Sequence, residues 1–132
     1  QYVEYEQLLK ESDVITFHVP LMDSTVHMLN ADNISLLKQN AIVINTARSG
    51  IIDDAALLEA VKNGHILGAG LDCTEETPIS KDNPLLQYPN FIVTPHVGGV
   101  TNDMAESIMP MIVENLRLIA KQESPKYVVN NR

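Results

Sequence analysis

At 132 residues, 45% hydrophobic and 20% charged, the chain has ordinary globular composition and is long enough to bury one core, as a domain or as a piece of one. A net charge of −8 with only nine Lys and Arg excludes the basic field that nucleic acid or anionic lipid would need, which leaves a small molecule as the expected ligand. No apolar run approaches the roughly 20 residues that cross a bilayer, so no membrane partner is expected.

Cys73 is alone, which excludes an internal disulfide and fits a reducing compartment, here the cytoplasm; its simplest role is that of a small buried hydrophobe. The sequence opens at Gln1 rather than at a methionine, without the charged, apolar, small-residue order of a signal peptide, so residues upstream are expected.

Four apolar runs rich in Val and Ile, without strict alternation, predict strands covered on both faces, as in a parallel sheet. The first is "VITFHV" (14–19). Asn30 then caps a short helix carrying Ile34 and Leu37, and "AIVIN" (41–45) forms the second strand. Asp53 caps a second helix with Leu57, Leu58 and Val61 on one face and Gly64 as its stop; "GAGL" (68–71) is the third strand. Between Leu71 and Phe91 the prolines 78, 84 and 89 predict a loop with at most one helical turn around "NPLLQ". A link of about 20 residues without a full helix is long enough to suspect function. "FIVT" (91–94) closes the strand series.

From Thr101, Ala105, Ile108, Met109, Ile112, Leu116 and Ile119 recur at helical spacing, with Thr101 or Asn102 as the cap. Pro110 lies inside that pattern, where the lost hydrogen bond and the clash one turn back cost about 3 kcal/mol, so a kink near Met109 or a restart at Pro110 is expected. The tail "SPKYVVNNR" is too short and polar for a domain, and its "YVV" is expected to dock outside this chain.

In parallel sheets flanked by helices, ligands bind beyond the carboxyl ends of the strands. There the sequence carries "HVPLMDST", "NTARSG", "DCTEETP" and "PHVGG" in turn, so Arg48, Asp72 and His96 project toward one crevice from different strands. The planar guanidinium of Arg48 suits a carboxylate and can polarise a neighbouring carbonyl, His96 suits proton exchange near neutral pH, and Gly98 and Gly99 let backbone approach a ligand. Taken singly, Arg48 is better read as a solvated loop arginine and His96 as a loop histidine hydrogen-bonded to a neighbour. His18, His27, His65 and His96 show no ligand spacing, Cys73 has no evident base and Ser49 lies in no nucleophile elbow, so neither a metal site nor a hydrolase is expected.

Longer strings weigh on that choice. "INTARSGIIDDAALLEAVKNGHILGAGLDC" and "NPLLQYPNFIVTPHVGGVT" resemble the D-isomer-specific 2-hydroxyacid dehydrogenases, the family of phosphoglycerate, glycerate and D-lactate dehydrogenases. The resemblance runs from Tyr2 to Asn130, and "NTARSG" and "TPHVGG" are its most specific pieces. It implies that Arg48 binds the substrate carboxylate and carbonyl oxygen, that His96 is the acid and base, and that Asp72 meets the nicotinamide side of the cofactor. It further places Thr46 and Ala47 beside the nicotinamide amide, His18, Val19 and Pro20 at the adenine pocket, and Thr25 near the cofactor. The implied cofactor is NAD, with NADP not excluded; the implied partners are a small 2-oxo or 2-hydroxy acid and a second copy of the chain.

The chain departs from the family where a glutamate, directly before a proline five residues after Asp72, pairs with the histidine and favours its protonated form. Thr77 stands there, before Pro78. Two expectations follow: a local backbone shift brings Glu76 to His96, or Thr77 offers His96 only a neutral hydrogen bond and the pH optimum moves to the acid side. Glu75 and Glu76 also read as solvated loop acids.

The Gly-rich turn and ribose-binding acid of a dinucleotide site are missing; "GAGLDC" opens no helix and the pair at Gly98 lacks a third glycine. In the family they lie upstream of Gln1. The chain is therefore expected to be α/β, the C-terminal half of a Rossmann-type parallel-sheet dinucleotide-binding domain (1–99), followed by a long helix and tail (100–132) leading back toward a substrate domain. Tyr2 and Val3 are then the remnant of a short strand and "YEQLLKE" a helix. The expected activity is NAD(P)-dependent interconversion of a small 2-oxo acid and its D-2-hydroxy acid. The alternative is a non-enzymatic NAD(H) sensor resembling the corepressors of the same family.

Overall fold

The computed structural model describes residues 1–128. They divide into two units, 1–98 and a second beginning at Gly99. The first unit contains α1 (Tyr5–Glu11), β1 (Val14–Phe17), β2 (Ala41–Asn45), α2 (Asp54–Lys62), β3 (Ile66–Leu71) and β4 (Phe91–Val93), with single 3₁₀ turns at Ile34–Leu36 and Pro84–Gln87. All strand pairings are parallel, in the order β1-β2-β3-β4. This is the expected α/β architecture.

The strands form where β-branched residues cluster. β1 stops at Phe17, two residues short of the expected end, and β3 begins earlier, at Ile66. Ile15, Phe17, Ala41, Val43, Ile66, Ala69 and Leu71 are buried together with Leu9 of α1 and Leu57 and Val61 of α2. Each large aliphatic side chain removed from water stabilises the unit by about 1.5–3 kcal/mol. Both α1 and α2 pack against the 34–36 turn, so these helices form one layer. On the other face Ile42 and Ile44 are half-buried and Val14 is exposed, short of the two-sided cover expected from their sequence.

α2 follows its sequence signals. Asp53 Oδ1 accepts from the amides of Ala55 and Ala56, both at 3.0 Å, and Gly64 ends the helix with φ +76°. The helix expected after Asn30 does not form. Asn30 Oδ1 accepts from Asp32 N (2.9 Å) and its Nδ2 donates to His27 O (2.8 Å), closing a local turn that leaves one 3₁₀ turn before β2. Ile34 and Leu37 are nevertheless buried. No strand forms at Tyr2 and Val3.

In the second unit α3 spans Met104–Ala120 without interruption at Pro110, so the expected restart is absent; its N-cap is Asp103 rather than Thr101 or Asn102. Lys126 N donates to Asn115 Oδ1 (2.7 Å), turning the tail along the helix. Tyr127 and Val128 are exposed, and the rest of the segment expected to dock, from residue 129, lies outside the described residues.

Candidate active site at the strand ends

Register brings the four loops to one level. Phe17 pairs with Asn45, Asn45 with Leu71 and Leu71 with Val93, so His18, Thr46, Asp72 and Thr94 are the next residues out of four adjacent strands.

The first loop carries His18, whose Nε2 lies 2.9 Å from Thr16 Oγ1, then Val19 and Pro20. With Leu21, Ala47 and Arg48 these three line an open cavity of about 630 Å³. Thr25 is buried, and its hydroxyl donates to Pro20 O (2.7 Å) and accepts from Met22 N (2.8 Å). It closes the turn that presents this wall.

The second loop is shaped by Asn45, 2% exposed. Its Oδ1 accepts from Ala47 N and its Nδ2 donates to Arg48 O, both at 3.0 Å. Sequence reasoning overlooked this residue; the signal was a carboxamide ending an apolar run, which burial obliges to find partners. Thr46 and Arg48 are exposed, and Arg48 Nη1 donates to Ala47 O (2.6 Å).

Asp72 closes the third strand and is buried. Its Oδ1 accepts from Thr94 Oγ1 (2.5 Å) and Val97 N (2.9 Å), its Oδ2 from Gly98 N (2.8 Å). The Thr94 hydroxyl, followed by the amides of Gly98 and Val97 and the nearby His96 ring, holds the carboxyl below its ordinary range against the opposing effect of burial. The Asp72 carboxylate is thus engaged by the loop that carries His96. Gly98 has a reason independent of any ligand: a Cβ there would stand 2.8 Å from Asp72 Oδ2. Gly99 belongs to the second unit.

His96 is exposed, with φ +57°, a left-handed conformation that a non-glycine residue keeps only where its surroundings enforce it. It shares a cavity of about 150 Å³ with Asp72, Cys73, Thr74, Glu76 and Thr77. Neither expected partner reaches it. Glu76 Oε2 accepts from Asn83 Nδ2 (2.6 Å), and the Thr77 hydroxyl donates to Thr74 O (3.0 Å). The loop is tied outward as well: Glu75 Oε1 lies 2.8 Å from His27 Nε2, and Glu75 N donates to Asp54 Oδ2 (2.9 Å). These bonds hold residues 74–77 in place, which is why Glu76 does not shift toward His96. Cys73 is buried, and burial pushes its thiol up, as suits a core residue.

A parallel α/β sheet with an apolar-walled cavity and an Arg, Asp and His at its strand ends defines a nucleotide-binding domain of Rossmann type. The chain belongs to the D-isomer specific 2-hydroxyacid dehydrogenase family, whose NAD binding domain matches residues 1–98. It is 43% identical over 130 residues to a glyoxylate reductase of Thermococcus litoralis, covering 98% of this chain and 39% of that protein. The crystal structure of TT0316 protein from Thermus thermophilus superposes with a TM-score of 0.92 at 38% identity, over 97% of this chain and 41% of that one. D-lactate dehydrogenase with NAD+ from Lactobacillus jensenii gives 0.86 at 31% identity, over 98% and 43%. The chain thus spans about two-fifths of the length of these relatives.

Proposed function

We propose that the chain is part of an NAD(P)-dependent oxidoreductase that interconverts a small 2-oxo acid and its D-2-hydroxy acid. The observation that carries this reading is the common register of the strand ends, which sets the β2 loop with Arg48 and the β4 loop with His96 at the same end of the sheet, on either side of the β3 loop. The mainly apolar wall formed by His18, Val19, Pro20, Leu21 and Ala47 fits the flat faces of a dinucleotide, and these residues with Thr46 would hold it. When bound, NAD supplies the hydride; the chain supplies charge, orientation and a proton.

Arg48, the cation at this edge, would bind the substrate carboxylate through two parallel N–H donors and draw electron density from the adjacent carbonyl. His96 would deliver a proton to the carbonyl oxygen in reduction and remove it in oxidation. Asp72 orders the His96 loop from behind. The test is NADH and NADPH consumption by the full-length protein against a panel of 2-oxo acids. His96→Asn should retain NADH binding and lose about 10²- to 10⁴-fold in kcat, and Arg48→Ala about 10²-fold or more in kcat/KM.

A second reading, an NAD(H) sensor of corepressor type, is favoured by the placement of Thr77 and Glu76, neither of which pairs with His96. A sensor would bind NADH and consume none with any 2-oxo acid. The enzyme reading also carries a cytoplasmic homodimer as a proposal, tested by the mass of the full-length protein in solution. Among the described residues no helix is long and apolar enough to cross a membrane.

A further inference from the structure

We infer that Thr94 is a positioning residue for this reaction, setting the backbone of His96 through Asp72; the inference rests on the function proposed above. Thr94 is bonded in three directions. Its amide donates to Leu71 O (2.9 Å), fixing the end of β4 to β3. Its carbonyl accepts from His96 N (2.9 Å), and its hydroxyl donates to Asp72 Oδ1 (2.5 Å).

The same Asp72 carboxylate takes the amides of Val97 and Gly98. His96 is therefore bracketed, with the residue two before it and the two after it bonded to one buried anion. Three donors fix both the position and the plane of a carboxylate. With the Thr94 donor gone, Oδ1 keeps only the Val97 amide, and the carboxylate can turn about the bonds that remain. The left-handed backbone of His96, φ +57°, is then no longer imposed from both sides. A hydroxyl at this position is thus required for where the imidazole points, while the imidazole itself is unchanged.

The test uses the full-length protein. Valine keeps the shape of Thr94 and removes the donor; serine keeps the donor. Thr94→Val should lower kcat about 10- to 100-fold while leaving the Kd for NADH within about threefold, the signature of a misaligned group rather than a lost binding contact. Thr94→Ser should return kcat to within about threefold of wild type. In protein isotope-labelled only at histidine, the backbone amide resonance of His96, assigned by its loss in His96→Asn, should move in Thr94→Val and return in Thr94→Ser.

If Thr94→Val fails to accumulate folded, Gly98→Ala presses on the same carboxylate from the other side and should give the same kcat loss and the same resonance shift. A Thr94→Val kcat within about twofold of wild type, or a His96 amide that does not move, overturns the inference. Should the wild-type protein consume no NADH with any 2-oxo acid, the proposed function fails by itself. The resonance then decides the positioning: displaced in Thr94→Val it upholds the bracket, unmoved it refutes it.

Discussion

Thr77 stands where the family resemblance implies a carboxylate, and the structure turns its hydroxyl toward Thr74 O while Asn83 keeps Glu76 away from His96. Both Thr77 and His96 nevertheless line one cavity of about 150 Å³. A glutamate introduced at residue 77 would face the imidazole across that space and favour its protonated form. Thr77→Glu should therefore move the alkaline limb of the pH–rate profile for oxo-acid reduction upward by about one unit. Glu76→Gln should leave that limb where it is, because its carboxylate is occupied elsewhere. A profile that moves with Glu76→Gln and not with Thr77→Glu would refute this assignment of the loop's acids.

Among the elements, α2 shows how far local chemistry reaches. Asp53 satisfies two of the orphan amides of its first turn, and Gly64 adopts the positive φ that ends it. Asp53→Ala should cost about 1 kcal/mol, read as a lowered midpoint in urea with an unchanged slope. The segment after Asn30 shows the limit of such signals. An asparagine is as able to close an Asx turn as to cap a helix, and the hydrogen bonds to Asp32 N and His27 O decide for the turn. α3 makes a related point, since its periodicity carries it through Pro110 although a restart was expected there.

For the whole molecule, acid stability follows from two buried or half-buried carboxyls of opposite tendency. The folded state holds Asp72 below its ordinary value of 3.8, chiefly through the Thr94 hydroxyl, so its contribution is complete above that value and is lost as pH falls through the folded pKa. Asp54 is raised, chiefly by burial, so its contribution is present at low pH and is lost as pH rises through its folded pKa. Below about pH 4 the loss at Asp72 should make Tm fall with acidification. In Asp72→Asn that fall should be shallower, although the variant starts from a lower Tm; equal slopes in thermal scans from pH 5 to pH 2, taken as about the window of linkage, would exclude Asp72 as the source.

Linear patterning was enough to establish the four strands, α2 with its cap and stop, the loop nature of residues 72–90, and the strand-end placement of Arg48, Asp72 and His96. These depend on side-chain periodicity and on turn chemistry within a few residues, which the order of the residues records directly. Only packing could settle that Asn45 shapes the Arg48 loop, that Asp72 is spent on the Thr94, Val97 and Gly98 donors, that Thr25 is buried, and that Glu76 answers to Asn83 rather than to His96. Each of these turns on which groups the fold brings within reach of one another. That depends on which residues the parallel register sets side by side, between positions as far apart in the chain as Asp72 and Gly98.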